Sequence, residues 1–182
     1  MRDPPAHRAL DKLVESLGRA RIPYAICGGL AASAYGSRRG TPDVSVLLTE
    51  EGLATFKERY LGLGYVERFP GSRGLRDPEH GVAVDVLITG GYPGDSKPGP
   101  VSFPDPADVA KDGEGCAIIA LPALIALKLA SGMTAAHRGK DLTDVFDLIR
   151  LNDLPRDLAL PEYVTQKYLE LWEAAQNVGE DY

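Results

Sequence analysis

Tyr24 to Thr49 reads YAICGGLAASAYGSRRGTPDVSVLLT. Tyr24–Cys27 is short and apolar, which predicts a strand. Gly28 and Gly29 then turn the chain into a helix of small residues, LAASAYG, that Gly36 can close. The alanines and Ser33 of that helix let it lie close against a sheet. Asp43–Thr49, DVSVLLT, is rich in branched residues and partly alternating, and is the clearest strand in the chain. Strand, Gly-Gly turn, small-residue helix and a second strand opening on Asp43 make one unit. Gly28 and Gly29 permit a close backbone approach to a phosphate at a helix N-terminus, and Asp43 brings a carboxylate beside it.

On the N-terminal side, Leu10, Leu13, Val14 and Leu17 recur at helical spacing, which predicts an amphipathic helix over about residues 6–20 with Pro4 and Pro5 at its start. On the C-terminal side, Thr49 can cap a helix from Glu50 to Leu61, and Tyr65–Arg68 reads as a strand. Residues 70–81 read as loop. Val82–Ile88, VAVDVLI, is a strongly apolar strand with one carboxylate, Asp85, in its middle. Gly90 to Pro106 is rich in Gly and Pro, with room for a short edge strand at Val101–Phe103. Cys116–Ala120 is a further strand. Three helices follow: one opened by Pro122, one over Arg138–Leu151 with Leu142, Val145, Phe146 and Ile149 on one face, and one opened by Pro161 with Val164, Tyr168, Leu171 and Trp172 as its packing stripe. The expectation is an α/β (α+β) chain with a mixed sheet flanked by helices. Residues 1–120 form the core, and a C-terminal helical region, 121–182, packs on it as one structural unit.

The 182 residues carry a net charge of −6. An acidic chain lacks the general attraction to phosphate backbones that nonspecific nucleic-acid binders use. A local basic patch remains open to it through Arg38, Arg39, Arg68, Arg73 and Arg76, which otherwise read as solvated loop charges. Cys27 and Cys116 sit in apolar runs and read as buried thiols. His7, His80 and His137 lack ligand spacing and read as solvated. No apolar run is long enough to span a bilayer, and the N-terminus has no apolar core segment, so a cytoplasmic protein without membrane contact is the default expectation.

Asp85 among Val84, Val86 and Leu87 is costly to bury unless it is paired, hydrogen-bonded or metal-bound. Asp43 and Asp85 on two strands beside a phosphate-binding turn suit Mg²⁺, which takes carboxylate and phosphate oxygens.

The motif C-G-G, thirteen residues, D-V-S-V, with the later V-D-V at Asp85, resembles the nucleotidyltransferase superfamily. It is most similar to the small bacterial branch related to AbiEii-type toxins. The segment LPALIALKLASGM…HRGKDLTDVFDLIR resembles that branch too, with Lys128, Lys140, Asp141 and Asp144 in its Lys and Lys/Arg-Asp-x-x-Asp places. The resemblance covers roughly residues 10–151. It implies a nucleotidyltransferase-type fold and catalytic positions at Asp43, Ser45 and Asp85, with Asp43 and Asp85 on Mg²⁺. It also implies nucleotide contacts from Gly28, Gly29, Ser33, Lys128 and Asp144. The substrate would be a nucleoside triphosphate and the acceptor a hydroxyl of tRNA, other RNA or protein, with an antitoxin as a further partner.

Ser45 departs from the pattern. Residues i and i+2 of a strand share a face, so the family's Asp-x-Asp supplies two carboxylates to one site. With a third they hold two metal ions about 4 Å apart. A neutral, shorter serine removes one of them. Two function classes follow. One is a nucleotidyltransferase running on a single metal at Asp43 and Asp85. The other is a catalytically inactive protein of that fold that binds a nucleotide or a partner protein. A modifier of cationic small molecules is a third, and no residue requires it.

Overall fold

The computed structural model describes residues 4–178. Helix α1 (Pro5–Ala20) starts on a proline and ends at Arg21, which adopts the left-handed conformation that closes a helix. Strand β1 (Ala25–Cys27) leads straight into α2 (Gly28–Ala34), and β2 (Val44–Leu48) follows. Thr49 caps α3 (Glu50–Tyr60): its hydroxyl accepts from the Gly52 amide at 3.0 Å. Next come β3 (Val66–Glu67), β4 (Leu75–Asp77), β5 (Val82–Ile88), the single turn α4 (Pro106–Val109), β6 (Ala110–Asp112) and β7 (Ala117–Ile119). Helices α5 (Leu121–Thr134), α6 (Gly139–Leu151) and α7 (Glu162–Asn177) complete the chain, with a 3₁₀ turn over Ala136–Arg138 between α5 and α6.

The strands form one seven-stranded mixed sheet in the order β3-β4-β5-β2-β1-β7-β6. β2 runs parallel to β5, and β1 runs antiparallel to β2 and parallel to β7. Alternation along the strands sends side chains to two separate cores. Ile26, Val44, Val46, Leu48, Val84 and Leu75 meet α1 and α3 on one face. Cys27, Leu47 and Ile119 meet α5, α6 and α7 on the other. Apart from Lys128, helix α5 is apolar from Leu124 to Ala130 and buried there, because it lies between the sheet and the two later helices.

Two expectations need correction, and one strand is new. Residues 70–81 contain a strand, β4, which pairs antiparallel with both β3 and β5. A second short strand, β6, is also present where none is legible in the sequence. Val101–Phe103 forms no strand. Phe103 exchanges two backbone hydrogen bonds with Gly90 and Gly91, at 2.8 and 2.7 Å, and Pro104 then ends the pairing.

Candidate functional site: a cleft with an arginine on its carboxylate

Cys27, Ser45 and Asp85 lie side by side across β1, β2 and β5, since Cys27 is the register partner of Ser45 and Ser45 that of Asp85. This row forms part of a cleft of about 840 Å³ between the sheet, the β3–β4 hairpin and helices α5 and α6. Asp85 is 41% exposed, and its Oδ1 lies 2.7 Å from a guanidinium nitrogen of Arg68. The residue that follows β3 therefore brings a fixed positive charge onto the carboxylate of β5.

Asp43 stands just before β2, half-buried, and is not among the cleft-lining residues. Its carbonyl oxygen accepts from the Thr41 hydroxyl at 3.4 Å.

Gly28 has φ +63°, a left-handed conformation that favours glycine. A Cβ at Gly28 would lie 2.7 Å from the Ser45 hydroxyl, and one at Gly29 would lie 2.7 Å from Thr41 Cβ. The Gly-Gly turn is therefore seated against these two side chains, and both glycines line the cleft. Ser33 is outside the lining; its hydroxyl turns back to the Gly29 carbonyl at 3.0 Å.

Lys128 and Asp144 do line the cleft, but they are engaged with each other. Lys128 is only 7% exposed, and its Nζ lies 2.7 Å from Asp144 and 3.1 Å from Asp141. Asp144 also takes Arg39 at 3.2 Å. Asp141 accepts from the Ser131 hydroxyl at 2.7 Å, and Arg138 reaches the same hydroxyl at 3.1 Å. Helix spacing explains the arrangement: Asp141 and Asp144 are three apart on α6, so both face the α5 lysine. Lys140 lines the cleft beside them.

Across the whole lining there are five lysine or arginine side chains (Arg68, Arg73, Lys128, Arg138, Lys140) and three carboxylates (Asp85, Asp141, Asp144). The cleft is locally cationic in an acidic chain. Burial pushes the Cys27 thiol on its floor up to about 12, which makes it a poor nucleophile.

Among the described residues, Asp77, Glu79 and His80 are a group of ligand-type atoms lying within 4.8 Å of one another. They sit at the β4–β5 turn, outside the cleft, and Lys12 already holds Asp77 at 2.7 Å and Glu79 at 2.9 Å. His80 is thus not a solvated side chain, for its Nδ1 lies 2.6 Å from Asp77.

No protein-family model and no curated protein matches the sequence. Solved structures do match. A candidate nucleotidyltransferase of Thermotoga maritima superposes with a TM-score of 0.56 at 17% identity, over 81% of this chain and 96% of that one. An antigenic nucleotidyltransferase-like protein of Paracoccidioides brasiliensis does so with a TM-score of 0.52 at 17% identity, over 95% of this chain and 87% of that one. The fold is that of the nucleotidyltransferases. The resemblance read from the sequence implies a metal at Asp43 and Asp85. Of the residues expected there, position 45 offers a neutral hydroxyl and Asp85 already carries a guanidinium at 2.7 Å. Mg²⁺ needs several oxygens at about 2.1 Å, and a serine hydroxyl with an arginine-bound carboxylate is a poor set for it. Among the described residues, no helix is long and apolar enough to cross a membrane.

Proposed function

We propose that this chain binds a nucleotide on a nucleotidyltransferase fold without catalysing transfer, and that arginine and lysine side chains take the phosphates in place of metal. The observation that carries the reading is the 2.7 Å pair between Arg68 and Asp85 beside Ser45. Arginine stays protonated at any physiological pH and offers five N–H donors in a planar fork. One edge on Asp85 leaves donors for a phosphate oxygen. Arg73 and Lys140 line the same cleft and add charge for the remaining phosphates. The cleft volume suits a nucleotide-sized ligand. Gly28, Gly29 and Lys128 are contacts in this reading, with Lys128 held in place by Asp141 and Asp144.

The resemblance to AbiEii-type toxins supplies the competing reading: transfer of a nucleotide from its triphosphate to a hydroxyl of tRNA or protein, under the control of an antitoxin. One observation favours it. Arg68 and Asp85 are both about two-fifths exposed, at 38% and 41%, so a substrate could part them. Labelled nucleoside triphosphates, each supplied with Mg²⁺ or Mn²⁺, total RNA and total protein, separate the two. The natural chain is expected to label nothing. A labelled RNA or protein would overturn the non-catalytic reading. Product from a Ser45→Asp, Arg68→Ala double variant alone would mark the natural chain as a transferase that has lost its metal site.

A further inference from the structure

The mouth of the cleft carries a large apolar side chain in an unusual position. Phe69 is 65% exposed, yet it lines the cleft together with its neighbours Arg68 and Arg73. It sits at the tip of the β3–β4 hairpin, in the sequence RFPGSRG (68–74). The tip is not loose. The Arg68 amide donates to the Gly74 carbonyl at 3.2 Å, and the Ser72 amide donates to the Phe69 carbonyl at 2.9 Å. Glu67 accepts from the Gly71 amide at 2.8 Å. Lys57 of α3 donates to Glu67 at 2.7 Å and to the Ser72 carbonyl at 2.6 Å, tying the tip to the body of the molecule. Pro70 fixes one further backbone angle. The hairpin therefore holds an aromatic ring out at the rim of a nucleotide-sized cationic cleft, with an arginine on each side in sequence.

We infer that Phe69 is the nucleobase contact of this cleft: its ring stacks on the base of the nucleotide whose phosphates Arg68 and Arg73 take. The inference rests on the nucleotide-binding reading and deepens it. An exposed aromatic face costs hydration in the free protein and recovers it by stacking, which tolerates any base because every base has a π face. Pre-ordering by Lys57 and Glu67 lowers the entropy lost when the base docks. The ligand class is thus a nucleoside phosphate, not a bare polyphosphate.

ATP and inorganic tripolyphosphate, titrated separately into the natural chain, Phe69→Ala and Phe69→Trp, give the test. The natural chain should bind ATP about tenfold more tightly than tripolyphosphate. Phe69→Ala should lose that preference and keep its tripolyphosphate affinity; Phe69→Trp should keep the preference, with tryptophan fluorescence quenched by ATP and not by tripolyphosphate. Equal ATP affinity in the natural chain and Phe69→Ala overturns the inference while leaving nucleotide binding intact. Binding of tripolyphosphate with no preference for ATP in the natural chain overturns it too, and leaves only an anion site. Binding of neither ligand overturns both the inference and the reading beneath it. Circular dichroism checks that the variants fold, which the exposure of Phe69 leads one to expect.

Discussion

Arg68 and Asp85 meet at 2.7 Å beside Ser45, so the position at which this fold would gather metal already holds a positive charge. The pair converts a place for a cation into a place beside which an anion can bind. Its first consequence concerns affinity. Arg68→Ala should weaken metal-free nucleotide binding by about tenfold or more, the worth of a charge-assisted hydrogen bond. Asp85→Asn should leave that binding unchanged or tighten it, because the guanidinium is released and a negative charge is removed from the cleft. Calorimetric titration of both variants in EDTA reads the difference. A loss of affinity on Asp85→Asn, with Arg68→Ala unaffected, would assign the binding to the carboxylate instead.

Lys128 is nearly buried between Asp141 and Asp144, and removing one partner of such a group leaves uncompensated charge. Lys128→Met should destabilise the fold by about 3 kcal/mol. For a chain of this size that is a Tm drop of roughly 6 °C or more. Adding Asp144→Asn should recover part of the loss. Thermal unfolding followed by circular dichroism measures it, and an unchanged Tm in the single variant would show that the cluster is solvated.

The cluster at the β4–β5 turn should make stability depend on acid. Burial alone would raise the Asp77 carboxyl, but hydrogen bonds from Lys12 and His80 outweigh it and hold the group below its ordinary value of 3.8. A depressed value means that the stabilisation is complete above that ordinary value and is lost as the pH falls through the folded one. Urea unfolding at pH 7 and pH 5 should therefore give the same contribution from Asp77, with loss only below about pH 4. Asp77→Asn should cost about 2 kcal/mol at pH 7, and the gap to the natural chain should narrow as the pH drops below that window. A gap that widens in acid would reverse the sign assigned to Asp77.

Tyr65 is buried against Phe56, and its hydroxyl has no hydrogen-bond partner among the described residues. Burial pushes that hydroxyl well above its usual range, with the nearby Ser16 side chain offsetting part of the rise. Tyr65→Phe should then be neutral or stabilise by up to about 1 kcal/mol, since an unpaired polar atom leaves the core. Phe56→Ala, which opens a cavity at the same place, should cost about 3 kcal/mol or more. Urea denaturation of the two variants checks the contrast, and a clear loss on Tyr65→Phe would reveal a partner for the hydroxyl.

Much of the fold was legible because its long strands announce themselves. DVSVLLT and VAVDVLI are branched and apolar, and they became the parallel pair β2 and β5. The i and i+2 rule placed position 45 on the face of the expected site, and register then set it beside Asp85. What stayed hidden depends on contacts between distant segments. LRD and AKD are three-residue strands with charged residues, and only pairing to β5 and β7 makes them strands. Without β4 there was no hairpin to carry Arg68 to Asp85 or Phe69 to the rim. Arg68 was visible only as one loop arginine among several. Asp43, read from the motif, stands half-buried just ahead of β2.

Calorimetric titration of ATP into the natural chain, once with EDTA and once with Mg²⁺, bears on metal-independent phosphate binding with the fewest assumptions. Arginine and lysine as the phosphate contacts require a binding isotherm in EDTA at least as tight as the one in Mg²⁺. Binding that appears only when Mg²⁺ is present, and vanishes in EDTA, would show that a metal holds the phosphates after all and that the Arg68–Asp85 pair yields to it.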